Sequence, residues 1–227
     1  MIANEKEDDI YLVLSKTGTG PAKLIYLRVK AAKAFFNDEK RYEGMQYSHA
    51  SISKNSLLGG ILINNDPFNN DMMSFARRDI HNTFNAGLII EDVRTGIFAF
   101  RPLTTEIAVF KLSVSTTEYK AIVQIMNEYW AKAEEYDMNF SGLATQLLIG
   151  KSVAPDKKFF CSQWIATILQ EVGINLFPGK RPEDVRPFEY YPILRERDPS
   201  YWEGLATDYP EYGYFEPSIL RQLNIRI

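Results

Sequence analysis

The sequence predicts an α+β fold built on a largely antiparallel sheet. Candidate strands and helices are mixed along the 227 residues, without the regular β-α-β alternation that builds a parallel sheet. Hydrophobic residues make up 45% of the chain, which suffices for a substantial buried core and argues against disorder. The length fits one domain spanning residues 1–227.

Five segments have the pattern of strands. Residues 10–14 form a continuous apolar run of strand-forming side chains, which ends at a turn-forming segment rich in glycine and threonine. Residues 47–53 alternate between two faces, as a half-buried strand does. The other candidates are residues 61–65, 72–75 and 107–112.

Four segments have the pattern of helices. Residues 23–36 carry apolar side chains at helical spacing. Ser115 and Glu118 stand three residues apart before a long periodic segment, which predicts a capping box at its start. Residues 140–149 predict a shorter helix, and the segment after Cys161 predicts a helix that ends at Gly173.

The character of the chain changes at Pro178. Prolines recur from there to the end, interleaved with tyrosine and tryptophan. Large aromatic rings at this density favour contact with a core over a solvated linker. Residues 178–227 are therefore predicted to form an irregular, aromatic and proline-rich C-terminal extension that wraps the domain.

Charge and composition exclude several classes of partner. The net charge of −3 provides no basic field for nucleic acid or an anionic membrane. No segment approaches the roughly 18 apolar residues of a membrane span. The acidic N-terminus does not resemble a signal peptide, and a single cysteine excludes an intrachain disulfide. The expected compartment is the reducing cytoplasm.

The residues available for nucleophilic or metal chemistry include one cysteine and two histidines. Cys161 stands where an extended apolar stretch changes into a helix, and His49 stands in a predicted strand. A thiolate is stabilised by the N-terminal end of a helix and by a nearby imidazolium, so the two residues could form a reactive pair. They are far apart in the chain, and only the tertiary structure can bring them together.

Spacing alone favours an unreactive role for both residues. Cys161 shares one helix face with Ile165, Ile168 and Val172, which is where a core cysteine would stand. Free cysteine is among the most frequently buried residue types. A single histidine on a strand is likewise more often structural than catalytic.

The local sequences around the two residues point the other way. Residues 47–52 (Tyr-Ser-His-Ala-Ser-Ile), followed by residues 160–166 (Phe-Cys-Ser-Gln-Trp-Ile-Ala), resemble the permuted branch of the NlpC/P60 papain-like superfamily. In that branch the histidine strand precedes the cysteine helix. Residues 11–19, 73–78 and 181–185 are similar to the same branch, so the resemblance covers residues 10–187.

The resemblance implies a circularly permuted papain-like core, in which an antiparallel sheet or partial barrel packs on the helix that carries the cysteine. It implies that Cys161 is the nucleophile and His49 the general base that then protonates the leaving group. The backbone N–H of Cys161 is expected to bind the oxyanion. No metal or organic cofactor is implied.

The third member of the site is left with several candidates. Ser74 stands on the next strand, where some relatives carry Glu, Gln or His. A backbone carbonyl, a water molecule or His81 are alternatives. Tyr47 and Gln163 are predicted as supporting residues: Tyr47 would shape the cleft, unless it is an ordinary strand tyrosine, and Gln163 would make a polar contact at the helix start.

The predicted function is a cysteine hydrolase that acts through an acyl-cysteine intermediate, either as an amidase or peptidase or as an ester hydrolase or acyltransferase. The substrate would be a peptide, an amide or a lipid ester. The alternative is a catalytically inactive binding or scaffold protein on the same fold. A redox sensor is disfavoured because the chain has no resolving cysteine.

Overall fold

The structure is a computed structural model that describes residues 7–16, 44–56, 72–79, 82–92, 105–149 and 151–209. Within these ranges the fold is α+β with an open, mostly antiparallel sheet, as the sequence predicts. The predicted helix at 23–36, the predicted strand at 61–65 and His81 lie outside the described residues.

The described residues contribute eight strands to one sheet. In chain order these strands are β1 (Glu7–Ser15), β2 (His49–Ser53), β3 (Met72–Asp79), β4 (Asn82–Glu91), β5 (Glu106–Ser115), β6 (Asp137–Met138), β7 (Lys158–Phe159) and β8 (Trp202–Leu205). Their spatial order is β7-β6-β4-β3-β2-β1-β5-β8, and only the β6–β7 pair is parallel.

The sheet is centred on β1, which pairs with β2 on one side and with β5 on the other. The predicted strands at 10–14, 47–53, 72–75 and 107–112 correspond to β1, β2, β3 and β5. In the β1–β2 ladder the last residue of β1, Ser15, stands directly opposite His49.

Four α-helices accompany the sheet in the described part of the chain. They are α1 (Thr116–Ala131), α2 (Phe140–Ile149), α3 (Cys161–Glu171) and α4 (Tyr190–Arg197). The predicted capping box starts α1: the Ser115 hydroxyl accepts from the Glu118 N–H at 3.2 Å, and the Glu118 carboxylate accepts from the Ser115 N–H at 2.8 Å. None of these helices combines the length and the apolarity needed to cross a membrane.

The main hydrophobic core lies between the sheet and helices α1 and α3, because one side of each strand alternation is apolar. The cysteine helix α3 packs directly on β2 and β3. The central side chains of this core include Leu12, Leu14, Ile52, Phe75, Phe110, Ile122, Trp164 and Ile165. A smaller cluster contains Val13, Met72, Ile107, Val109, Ala206 and Tyr209.

Two parts of the fold differ from the prediction. Strand β4 was not predicted, because its polar first half and Gly87 interrupt the strand pattern, whereas pairing with β3 supplies the stability that local propensity lacks. The extension at 178–227 was predicted to be irregular, but residues 178–209 contain helix α4 and strand β8, while residues 210–227 lie outside the described residues. Strand β8 forms because it pairs with β5, whose outer edge would otherwise be unpaired.

Replacing Ser115 with alanine is expected to lower the free energy of unfolding by about 1 kcal/mol, because α1 loses its side-chain cap. Urea denaturation measures this loss. The matched control is Ser113→Ala, which removes an exposed hydroxyl bonded to Asp9 and should change stability by less than about 0.5 kcal/mol. Equal effects of the two substitutions would contradict the capping role.

Candidate active site

His49 opens strand β2, and the alternation of that strand separates polar from apolar side chains. Ala50 and Ile52 point into the main core, while His49, Ser51 and Ser53 occupy the other alternate positions. His49 is only 7% exposed, so its ring nitrogens must find partners inside the protein.

The principal partner of His49 is Glu91, the last residue of β4. Both carboxylate oxygens of Glu91 lie 3.0 Å from Nε2 of His49. The side chains are 8% and 3% exposed, which makes this a buried ion pair. Glu91 is opposite Met72 in the β3–β4 ladder, so the pairing of β2, β3 and β4 brings the carboxylate to the histidine.

Two serine hydroxyls complete the surroundings of this pair. Ser51 donates to Oε2 of Glu91 at 2.5 Å, and its oxygen lies 3.3 Å from Nε2 of His49. The Ser74 oxygen lies 3.2 Å from the same nitrogen, and Ser74 also hydrogen-bonds to Glu91. Ser74 therefore lies beside the imidazole, but the carboxylate that orients the ring belongs to Glu91.

The neighbours of the imidazole favour its charged form. Burial by itself lowers the pKa of His49, but the Glu91 carboxylate and the neighbouring Cys161 side chain together raise that pKa well above its ordinary value of 6.5. Burial by itself raises the pKa of Glu91, but the His49 charge and the hydrogen bonds from His49, Ser51 and Ser74 leave it lowered. Both shifts favour the ionised form of the pair.

Cys161 is the first residue of α3, and its side chain hydrogen-bonds with the His49 imidazole. The other contacts of the imidazole, with Glu91 and the two serines, are all made by Nε2. The cysteine is 6% exposed, so the thiol and the imidazole form an almost buried pair. The structure thus joins the two residues that the sequence analysis singled out.

The start of α3 is fixed by polar contacts. The side-chain oxygen of Gln163 lies 3.4 Å from the Phe160 N–H and 3.3 Å from the side-chain nitrogen of Asn139, and accepts from both. The first intrahelical bond runs from the Trp164 N–H to the Phe160 carbonyl at 3.1 Å. The N–H of Cys161 therefore belongs to the first turn, where no intrahelical acceptor exists and an anion can bind.

Tyr47 occupies the aromatic part of the core. It is 1% exposed, its ring stacks on Tyr191 with centroids 5.4 Å apart, and its hydroxyl donates to Glu203 on β8. Its side chain is thus held by the C-terminal segment, with no exposed edge to line a cleft.

Ser15 adds a buried hydroxyl next to the histidine. It is 0% exposed and stands opposite His49 in the β1–β2 ladder. Among the residues that the structure describes, none lies within hydrogen-bond distance of its Oγ. A buried hydroxyl is usually hydrogen-bonded, so Ser15 is an unusual polar group at the strand position opposite His49.

Glu91 is the site residue that the sequence analysis missed. Its signal was present: the run Leu88-Ile89-Ile90 is apolar and ends in the acidic pair Glu91-Asp92, as at the end of a buried strand. Nothing in the linear sequence connects that run with residues 49 and 74, because the connection is the β2–β3–β4 pairing.

Comparisons of the chain with protein-family models, with curated proteins and with solved structures gave no match. In the ranges that the structure describes, no group of three or more His, Cys, Asp or Glu side chains is arranged to hold a metal ion.

Replacing Glu91 with glutamine is expected to lower the free energy of unfolding by about 3–5 kcal/mol, because it leaves a buried imidazolium without its counter-charge. The loss should be greatest between pH 4.5 and 6.5, the ordinary pKa values of the two groups. It should shrink as pH falls through the lowered pKa of Glu91. It should also shrink as pH rises through the raised pKa of His49, because each change removes one charge of the wild-type pair.

Urea denaturation of both proteins across this pH range measures the difference. The matched control is Glu106→Gln, which removes a surface ion pair with Lys16 whose side chains are 46% and 43% exposed. That change should cost less than about 1 kcal/mol. A loss for Glu91→Gln that is the same at every pH would contradict the buried ion pair.

Proposed function

We propose that this protein is a cysteine hydrolase or acyltransferase that works through an acyl-cysteine intermediate. The observation that carries the proposal is the position of His49, buried between the Cys161 thiol and the Glu91 carboxylate. Nucleophile, base and orienting carboxylate within hydrogen-bond reach of one another form the arrangement that activates a thiol.

The proposed fold is the circularly permuted papain-like type. Two features support it: helix α3 begins with the cysteine and packs on the strands next to it, and the histidine strand β2 comes earlier in the chain. The permuted NlpC/P60 resemblance of residues 47–52 and 160–166 is consistent with this order. The carboxylate comes from β4, whereas the resemblance implied a polar residue on β3.

In the proposed first half-reaction the Cys161 thiolate attacks the acyl carbonyl carbon, and the carbonyl electron pair moves to oxygen. The Cys161 N–H, in the first turn of α3, donates to that oxyanion. The imidazolium of His49 then gives a proton to the leaving amine or alcohol as the carbon–heteroatom bond breaks. The acyl group remains on sulfur as a thioester.

In the second half-reaction water, or another acceptor hydroxyl or amine, attacks the thioester. Neutral His49 removes a proton from that nucleophile, and the thiolate leaves. Glu91 remains ionised throughout and holds Nε2 by its two 3.0 Å contacts, while Ser51 and Ser74 keep the carboxylate in place. Ser74 is thus a supporting residue in this mechanism, and Glu91 is the orienting one.

The proposed substrates are peptides, amides or lipid esters, each of which presents an acyl carbonyl and a leaving group that must be protonated. The reaction needs a reduced thiol, which fits the reducing cytoplasm. All steps use side chains and backbone of this chain, so the mechanism requires no metal or organic cofactor.

The test is acylation of Cys161 by a small activated ester such as p-nitrophenyl acetate at pH 7. Wild-type protein should release about one nitrophenolate per chain in a burst and gain one acetyl group by intact-mass spectrometry. His49→Ala should slow the burst by roughly 10²-fold or more, because the imidazole no longer stabilises the thiolate. Glu91→Gln should slow it less, since the ring remains but is less well oriented.

Cys161→Ser should abolish the burst, and His81→Ala, which changes the only other histidine, should leave it intact. The proposal fails if the wild-type protein is acylated no faster than the His49→Ala variant and no faster than the urea-unfolded chain. That result would favour the inactive binding or scaffold protein on the same fold.

A further inference from the structure

Tyr190 ties the C-terminal segment to the start of the cysteine helix. Its hydroxyl donates to the Ser162 carbonyl at 2.9 Å, and the Ser162 hydroxyl donates to the Val185 carbonyl at 2.7 Å. All three residues are at most 1% exposed. The peptide that follows the nucleophile is therefore held from the C-terminal side by two buried hydrogen bonds.

The next residue, Tyr191, ties the same segment to the histidine strand. Its ring stacks on Tyr47, two residues before His49, and its hydroxyl donates to Glu203 at 2.9 Å. The Tyr47 hydroxyl donates to the other carboxylate oxygen of Glu203. Tyr47, Tyr191 and Glu203 thus form one hydrogen-bonded unit that holds the chain where it enters β2.

Gly44 shows how closely Tyr191 is fitted against this entry. A Cβ on Gly44 would lie 2.2 Å from Cβ of Tyr191, and the backbone there has φ +73°, a conformation that favours glycine. The Gly44 carbonyl also accepts from the Tyr47 N–H at 2.9 Å. The turn before His49 is therefore shaped around one tyrosine of α4.

We propose that Tyr190 and Tyr191 are positioning residues that together set the distance between Cys161 and His49. The two tyrosines are adjacent on α4, yet one contacts the cysteine helix and the other contacts the approach to the histidine strand. Helix α4 therefore contacts both the start of α3 and the chain that enters β2, which are far apart in the sequence. This inference rests on the proposed Cys161–His49 pair: helix α4 of the C-terminal extension keeps the two residues in contact.

The electrostatic coupling between the two residues reports their distance. Cys161 raises the pKa of His49, so Cys161→Ala should lower that pKa in the wild-type background. A Coulomb interaction weakens with separation. If α4 sets the distance between Cys161 and His49, removing the Tyr190 and Tyr191 hydroxyls should increase that distance. The shift of the His49 pKa caused by Cys161→Ala should then be smaller.

The experiment measures the His49 pKa by NMR titration of the imidazole, with and without Cys161→Ala, in wild type and in Tyr190→Phe/Tyr191→Phe. The double variant keeps both rings and loses both hydroxyls. The shift caused by Cys161→Ala should fall to roughly half its wild-type size or less. Glu203→Gln is a second variant, which replaces an exposed residue and weakens its hydrogen bonds with Tyr47 and Tyr191. It should also make the shift caused by Cys161→Ala smaller.

The matched control is Tyr209→Phe, which removes a hydroxyl of the same C-terminal segment that donates to the Ser56 carbonyl at 3.0 Å, past the far end of β2. It should leave the shift at its wild-type size. If the tyrosines have a purely structural role, the double variant, Glu203→Gln and Tyr209→Phe should all lose stability, while the shift of the His49 pKa caused by Cys161→Ala keeps its wild-type size. That result would overturn this inference but not the proposed function. If Cys161→Ala does not move the His49 pKa in wild type, the Cys161–His49 pair and the proposed function fail as well.

Discussion

The site depends on the buried ion pair between His49 and Glu91. Two ionised groups that are almost inaccessible to water carry a large desolvation cost, which only close contact and further hydrogen bonds can offset. Both carboxylate oxygens contact Nε2, and two serine hydroxyls bind the carboxylate. Because these four side chains come from three strands, the ion pair fixes how β2, β3 and β4 align as well as how the imidazole is oriented.

That constraint explains the identity of the residues around the pair. Ser51 follows His49 by two positions and so lies on the same side of β2. Ser74 lies on β3, next to the Met73 position that pairs with Ile52, and Glu91 lies opposite Met72. A shift of one residue in either ladder would turn the serine or the glutamate into the apolar core. Both the stability of the sheet and the orientation of the imidazole therefore depend on the register of β2, β3 and β4.

The C-terminal segment contributes more than cover for the core. Strand β8 pairs with β5 at the edge of the sheet, and α4 lies between the cysteine helix and the entry to β2. Tyrosine suits this position because its ring fills apolar space while its hydroxyl reaches a carbonyl or a carboxylate. The burial of Tyr47 and Tyr191 against Glu203 raises the pKa of both phenols, so they remain neutral donors at physiological pH. These contacts hold helix α4 and strand β8 against the rest of the domain.

The sequence by itself determined the local features of this protein: the apolar runs of β1, β2, β3 and β5, the capping box of α1, and the helix that begins at Cys161. These follow from side-chain periodicity and from contacts within a few residues. It also singled out Cys161, His49 and Ser74 through a resemblance to known local sequences. Tertiary structure alone decided that Glu91 orients the imidazole, that Tyr47 faces α4, and that the proline-rich segment contains a helix and a strand. The reason is physical: these outcomes depend on strand register and on packing between segments distant in the chain, and neither leaves a periodic pattern in the sequence.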